Sequence, residues 1–184
     1  IDGQSGGNVL AYNYFPNTGD MVIDTDNTTF FGDSTNSSIG MRNVLMHEVG
    51  HGVGIDHVES SDGSFLMEPF VSTSFDGPQL DDILALQRGY GDALENNGGN
   101  NTSGTATSLG TINAGGSASK GTAGDSTVVS AGTTDFVSID DESDLDFFSF
   151  TVAAGADVTL TLTPRGTTYL QGPQGGPEAS FNSA

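Results

Sequence analysis

Residues 47–57 read His47-Glu48-Val49-Gly50-His51-Gly52-Val53-Gly54-Ile55-Asp56-His57, and no other stretch limits the fold so tightly. On an α-helix, residues four apart share a face, so His47 and His51 point at one metal ion. Glu48, beside the first of them, can reach a water next to that metal. Gly54 can take a positive φ without steric cost, which permits a sharp turn that brings His57 back as a third ligand. Three histidines leave one position of a tetrahedral zinc open, as in a catalytic rather than a structural site. The chain has three histidines in all, and every one sits at metal spacing. Packing alone gives no reason for that distribution.

The surrounding residues fit a buried helix. Met41, Val44, Leu45, Val49 and Val53 recur at helical spacing, which predicts an amphipathic helix carrying the zinc histidines. Polar residues Ser34 to Ser38 offer N-caps for it. A second helix is predicted after residue 80, with Asp81 or Asp82 as cap, Ile83, Leu84 and Leu86 facing the core, and Gly89 and Gly91 as stop signals. Residues 1–33 read as two short strands with turns, and residues 58–79 as an irregular loop.

The pattern H-E-x-x-H-x-x-G-x-x-H is that of the metzincin metalloproteases. Within them the chain resembles the matrixins over about residues 1–92. Leu10-Ala11-Tyr12-Asn13-Tyr14-Phe15-Pro16 is similar to that family's substrate-side edge strand, and Gly19-Asp20-Met21-Val22-Ile23-Asp24 to the strand that follows it. Residues 80–91 are similar to its last catalytic-domain helix. The resemblance implies an α+β metzincin catalytic domain of short strands, an active-site helix and a C-terminal helix. It also implies that further strands and a helix precede Asp2-Gly3, so that the domain is N-terminally incomplete here. It assigns Met67, in Ser64-Phe65-Leu66-Met67-Glu68-Pro69, to a methionine turn beneath the zinc. Pro69, Phe70 and Val71 then border a substrate pocket.

The chain also departs from that family. The histidines that would hold a second, structural zinc are replaced by Tyr12 and Val22, so no such zinc is expected. Family calcium ligands correspond to Asp2, Gly3 and Asp24, with Asn27 standing where a glutamate is usual. A calcium site using Asp2, Asp24 and the Asn27 carbonyl is one reading, since oxygen ligands suit calcium; a solvated acidic turn is the other.

Composition narrows the partners. The net charge is −20, from 24 acidic and 4 basic residues. Such a field repels nucleic acid and anionic membrane surfaces. With no cysteine, disulfides and thiolate metal sites are excluded. No apolar run is long enough to span a membrane. The start at Ile1-Asp2-Gly3 reads as a mature or partial product of a longer precursor, and the expected location is secreted, extracellular.

Residues 95–104 contain no apolar side chain and read as a linker between a protease domain, 1–94, and a second domain, 105–184. Residues 146–152 and 158–163 alternate with period two and predict strands joined by a hairpin turn at Gly155, within an all-β sandwich. The Glu95–Thr102 lead-in, Asp144-Leu145-Asp146-Phe147-Phe148-Ser149-Phe150 and Gly155 resemble the bacterial pre-peptidase C-terminal domain, whose sandwich here ends early. In related modules acidic and Asn residues bind calcium. Asp140, Asp141, Glu142 and Asp144 are the candidates here, against the reading of a solvated acidic loop.

The resemblance thus implies a zinc endopeptidase acting on protein or peptide, with Glu48 as general base. The other class of reading is an inactive zinc-binding fragment that serves as a surface- or polymer-binding module through its C-terminal sandwich.

Overall fold

A computed structural model describes residues 9–59, 64–95, 98–121, 136–153, 155–166, 168–171, 177 and 179–182. The chain divides into two compact units. Described residues of the first lie in 9–82 and 166–182, and those of the second in 83–121 and 136–165.

The first unit is α+β. Strands β1 (Ala11–Asn13) and β2 (Met21–Ile23) pair antiparallel, with Tyr12 opposite Val22. Asn17 and Gly19 adopt positive φ in the connection, as a turn-rich Asn-Thr-Gly sequence allows. A single helical turn, α1 (Thr28–Phe31), leads to α2 (Ile39–Gly52). The expected side-chain cap on α2 is absent. Ser38 at the N-cap is left-handed, φ 60°, and makes no capping bond with its side chain.

The buried face of α2 also differs from the apolar stripe read in the sequence. It comprises Ile39, Asn43, Val44, Glu48, Gly50 and His51, while Val49 is turned to solvent. Three polar side chains are buried on that face, Asn43, Glu48 and His51, and Asn43 is satisfied by loop backbone. It donates to the carbonyls of Ser72 and Phe75, both at 2.8 Å, and accepts from Gly77 N at 2.9 Å. A fully bonded amide can stand in a core where an unbonded one could not.

Below α2 lies a small apolar cluster of Val58, Phe65 and Met67, with Ile55 packed against it. Fully burying side chains of this size contributes about 1.5–3 kcal/mol each. Val58 and Glu59 form β3, which pairs with β6 (Thr168–Gln171), itself paired with β7 (Ala179–Asn182). The end of the chain therefore belongs to the first unit rather than to a separate sandwich spanning 105–184. Helix α3 (Leu80–Tyr90) begins in the first unit and continues into the second.

In the second unit, β4 (Thr107–Ile112) and β5 (Phe148–Val152) pair parallel. The predicted hairpin partner is not a strand. Residues 156–166 carry no regular structure, and Leu160 and Leu162 are 81% and 91% exposed. Period-two alternation marks residues able to pleat, but gives them neither a neighbouring strand nor a layer to cover their apolar side. Gly155 does take the positive φ of a turn, 75°. Among the described residues no sandwich forms.

Within the polar stretch read as a linker, Asn100 is held in place. Phe147 N donates to Asn100 O at 3.0 Å, and Asn100 is only 2% exposed. Asn and Gly suit a compact turn as readily as a flexible spacer.

Candidate metal centre

Helix α2 ends in a Schellman motif. Ile55 N donates to Gly50 O and Gly54 N to His51 O, both at 2.9 Å, with Gly54 at φ 102°. That reversal carries the chain back past the helix end, and Asp56 Oδ1 accepts from His57 N at 2.9 Å. His57 Nε2 then stands 3.1 Å from His47 Nε2 and 3.1 Å from His51 Nε2.

The other ring nitrogens orient two of the three. His47 Nδ1 lies 2.7 Å from Leu66 O, and His51 Nδ1 lies 2.8 Å from Ile55 O. A carbonyl can only accept, so each Nδ1 carries the proton and each Nε2 offers a lone pair. The Nε2 lone pairs of His47 and His51 thus face His57 Nε2 at 3.1 Å, an arrangement that a shared cation stabilises. Tetrahedral zinc with bonds of about 2.0–2.1 Å would set neighbouring nitrogens roughly 3.3 Å apart. Residues and spacing therefore fit zinc, and His47, His51 and His57 are the group that could hold it. Carbonyl acceptors behind metal-binding histidines fix tautomer and ring orientation.

Burial sets the charge of these groups. Desolvation lowers His47 from 6.5 to about 4, with the neighbouring histidines adding to it and Leu66 O opposing. His57 is lowered by burial and by His51, against a raising effect from Asp56. Both are neutral at pH 7, as ligation requires. Glu48 is 5% exposed, and its Oε2 is buried with no protein partner. Burial raises it from 4.5 to about 7, opposed by an N–H bond from the Asn13 backbone. A carboxyl poised there can take and return a proton near neutrality, and a nearby cation would favour its charged form.

These shifts have opposite signs as stability terms. Between pH 4 and 6.5 the unfolded chain holds a His47 proton that the folded chain lacks, so stability falls as pH falls. Between pH 4.5 and 7 the folded chain holds a Glu48 proton that the unfolded chain lacks, so stability falls as pH rises. In chelator-treated protein the two slopes oppose each other, and Glu48→Gln removes the second. The melting midpoint of that variant is expected to climb more steeply from pH 4 to 6.5 than that of the unsubstituted chain. Equal slopes in the two proteins would refute this assignment.

Met67, assigned to the methionine turn, is 1% exposed, and its Sδ occupies the space that a Cβ at position 50 would need. Gly50 is thus the seat for Met67, a role that a sequence alone does not display. Asp82 holds the same loop from the other side. Its carboxylate accepts from Leu66 N (2.9 Å), Met67 N (3.1 Å) and Gln79 N (2.8 Å). The last bond is the back-reaching half of a capping box at the start of α3; the first two tie that helix to the loop behind the histidines. Burial raises the Asp82 pKa, and the three N–H donors pull it down. Phe15 packs edge-on to His51, ring centres 5.7 Å apart.

Pro69 is half-buried, and Phe70 and Val71 are 74% and 42% exposed, so this stretch presents surface rather than core. Asp2 and Gly3 lie outside the described residues. Asp24 is buried, but its oxygens already accept N–H bonds, from Asp26 at 3.0 Å and from the Asn27 amide at 2.5 Å.

The matrixin family model matches residues 1–91. The chain is 32% identical over 105 residues to matrix metalloproteinase-25 of Mus musculus, covering 52% of this chain and 16% of that protein. It is 33% identical over 98 residues to matrix metalloproteinase-16 of Homo sapiens, covering 50% and 15%. A putative matrix metalloproteinase of Trichoplusia ni ascovirus 2c is 31% identical over 98 residues, covering 46% and 19%. The chain thus spans less than a fifth of the length of these relatives. No solved structure matches it significantly. The resemblance of the second half to a pre-peptidase C-terminal domain gains no support. Three converging histidines, a buried glutamate and a buried methionine lie within the matched residues, and residues 1–91 of this chain are a matrixin domain.

Proposed function

We propose that the chain is a secreted zinc endopeptidase. The observation that carries the reading is the meeting of His47, His51 and His57 Nε2 atoms, with the Nδ1 atoms of His47 and His51 turned to carbonyls, next to a buried Glu48. Zinc held there supplies Lewis acidity toward a carbonyl and acidifies a water. Glu48 accepts the water's proton and delivers it to the leaving amine. An extended peptide adds to the edge of β1, where main-chain bonds give affinity, and the side chain after the cut enters near Pro69, Phe70 and Val71. No helix among the described residues is long and apolar enough to cross a membrane. The test is cleavage of a quenched peptide library with and without a zinc chelator, with Glu48→Ala as control. Cleavage that resists the chelator and persists in the variant would end this reading. No observation favours the alternative of an inactive polymer-binding fragment.

We further propose that calcium binds in the second unit. Glu95, Asp144 and Asp146 bring carboxylate oxygens within 4.8 Å of one another. Asn100, 2% exposed, keeps a buried amide oxygen with no partner beside them, and Glu95 Oε1 and Asp146 Oδ1 are likewise buried and unbonded. Such oxygens suit a hard cation. Of the acidic run read in the sequence, Asp141 and Glu142 stay exposed and Asp144 turns inward. Calcium at about a hundred times its Kd should stabilise the chain by about 2.7 kcal/mol, an effect lost in Asp144→Asn. Unfolding that is indifferent to calcium would exclude the site.

A further inference from the structure

Asn13 closes strand β1 and reaches helix α2 at the residue assigned the proton transfer. Its amide nitrogen donates to the main-chain carbonyl of Glu48 at 2.8 Å. Its backbone also pulls the Glu48 carboxyl down against the raising effect of burial. Asn13 thus ties the strand to the main chain of Glu48 and sits close to its carboxyl. The helix makes room for this contact at Gly52, where a Cβ would stand 2.8 Å from Asn13 Nδ2. The carbonyl of Glu48 has a second lone pair beyond its helical bond, so it can accept this donor. Asn13 Oδ1 is buried and without a partner. The amide therefore keeps its place through its bond to Glu48 O and through the opening at Gly52.

We infer that Asn13 is a positioning residue, which fixes the substrate-side strand against the general base, and that Gly52 is the opening that admits it. The inference rests on the peptidase reading. If an extended peptide pairs with β1, its scissile bond inherits the position of that strand, and Asn13 sets the distance from the strand to Glu48. Misplacement of reacting groups by about 1 Å can cost on the order of 100-fold in rate. Losing this single hydrogen bond should cost less, about tenfold in kcat.

The experiment compares the zinc-loaded full chain with Asn13→Ala, Gly52→Ala and the double variant. Alanine at 52 expels the amide without breaking the fold. The atom it meets is the end of a flexible side chain, and alanine is the better helix former. Each single variant is expected to lose about tenfold in kcat, with KM and zinc content nearly unchanged. The double variant should lose about tenfold as well, not the product of the two, because both changes break one contact. Hydrogen exchange of amides 10–14 gives a readout free of turnover and should speed up in all three variants. An unchanged kcat in Asn13→Ala, or multiplicative losses in the double variant, would overturn the inference while leaving the peptidase reading intact. If the unsubstituted chain cleaved no peptide, the peptidase reading would fall and the catalytic role of Asn13 with it. Unchanged exchange would independently remove the tie between strand and helix.

Discussion

Alanine at position 48 is expected to leave zinc bound and to lower kcat by on the order of 10²–10⁴-fold, the usual worth of a positioned general base. Glu48 is not among the converging nitrogen donors, so removing its carboxyl leaves His47, His51 and His57 in place. Their orientation comes from Leu66 O and Ile55 O, which the substitution does not touch. The lost carboxyl is buried, raised to about 7 and free at Oε2, so no other group at that position can take over the proton. Zinc stoichiometry and single-substrate kinetics on the same sample check both halves. Full activity in the variant would mean that another group moves the proton, and loss of zinc would make Glu48 a ligand.

His57→Ala should weaken zinc binding by more than about 100-fold. Loss of a hydrogen-bond partner behind a ligand already costs roughly 10–100-fold, and a ligand itself costs more. His57 is the nitrogen that lies 3.1 Å from both others, so without it the remaining pair has no common partner. It also comes from the turn after Gly54 rather than from the helix, so the helix itself should survive and helical content should stay unchanged. Competition against a chelator of known affinity measures the loss. Unchanged affinity would remove His57 from the metal site.

His47, Glu48 and His51 were legible because helical periodicity is local: four residues return a side chain to the same face whatever the rest of the chain does, while Met67 was named only through the family resemblance. Gly54 was legible for the same reason, since only local backbone geometry decides it. Gly50 and Asp82 were not. Their roles are contacts with Met67 and with the Leu66–Met67 backbone, which meet them only after the chain has folded. Asn43 and Glu48 broke the apolar stripe because loop carbonyls and an unshared carboxyl are invisible to a hydropathy pattern. Residues 158–163 have the alternation of a strand, yet Leu160 and Leu162 face solvent. Alternation reports what a segment could do with a partner and does not supply one. In the polar stretch 95–104, Asn100 is buried by hydrogen bonds rather than by apolarity.

The carboxylate of Asp82 lies 16 residues beyond Leu66, whose amide it holds. During synthesis the three histidines leave the ribosome well before it does. Until Asp82 emerges, the loop that presents Leu66 O to His47 lacks its anchor, and the Met67 amide lacks its acceptor. A nascent chain halted between the last histidine and residue 82 would carry every nitrogen ligand and still meet zinc as a loose peptide does. Durable capture of the metal is thus timed to the arrival of a residue that never touches it.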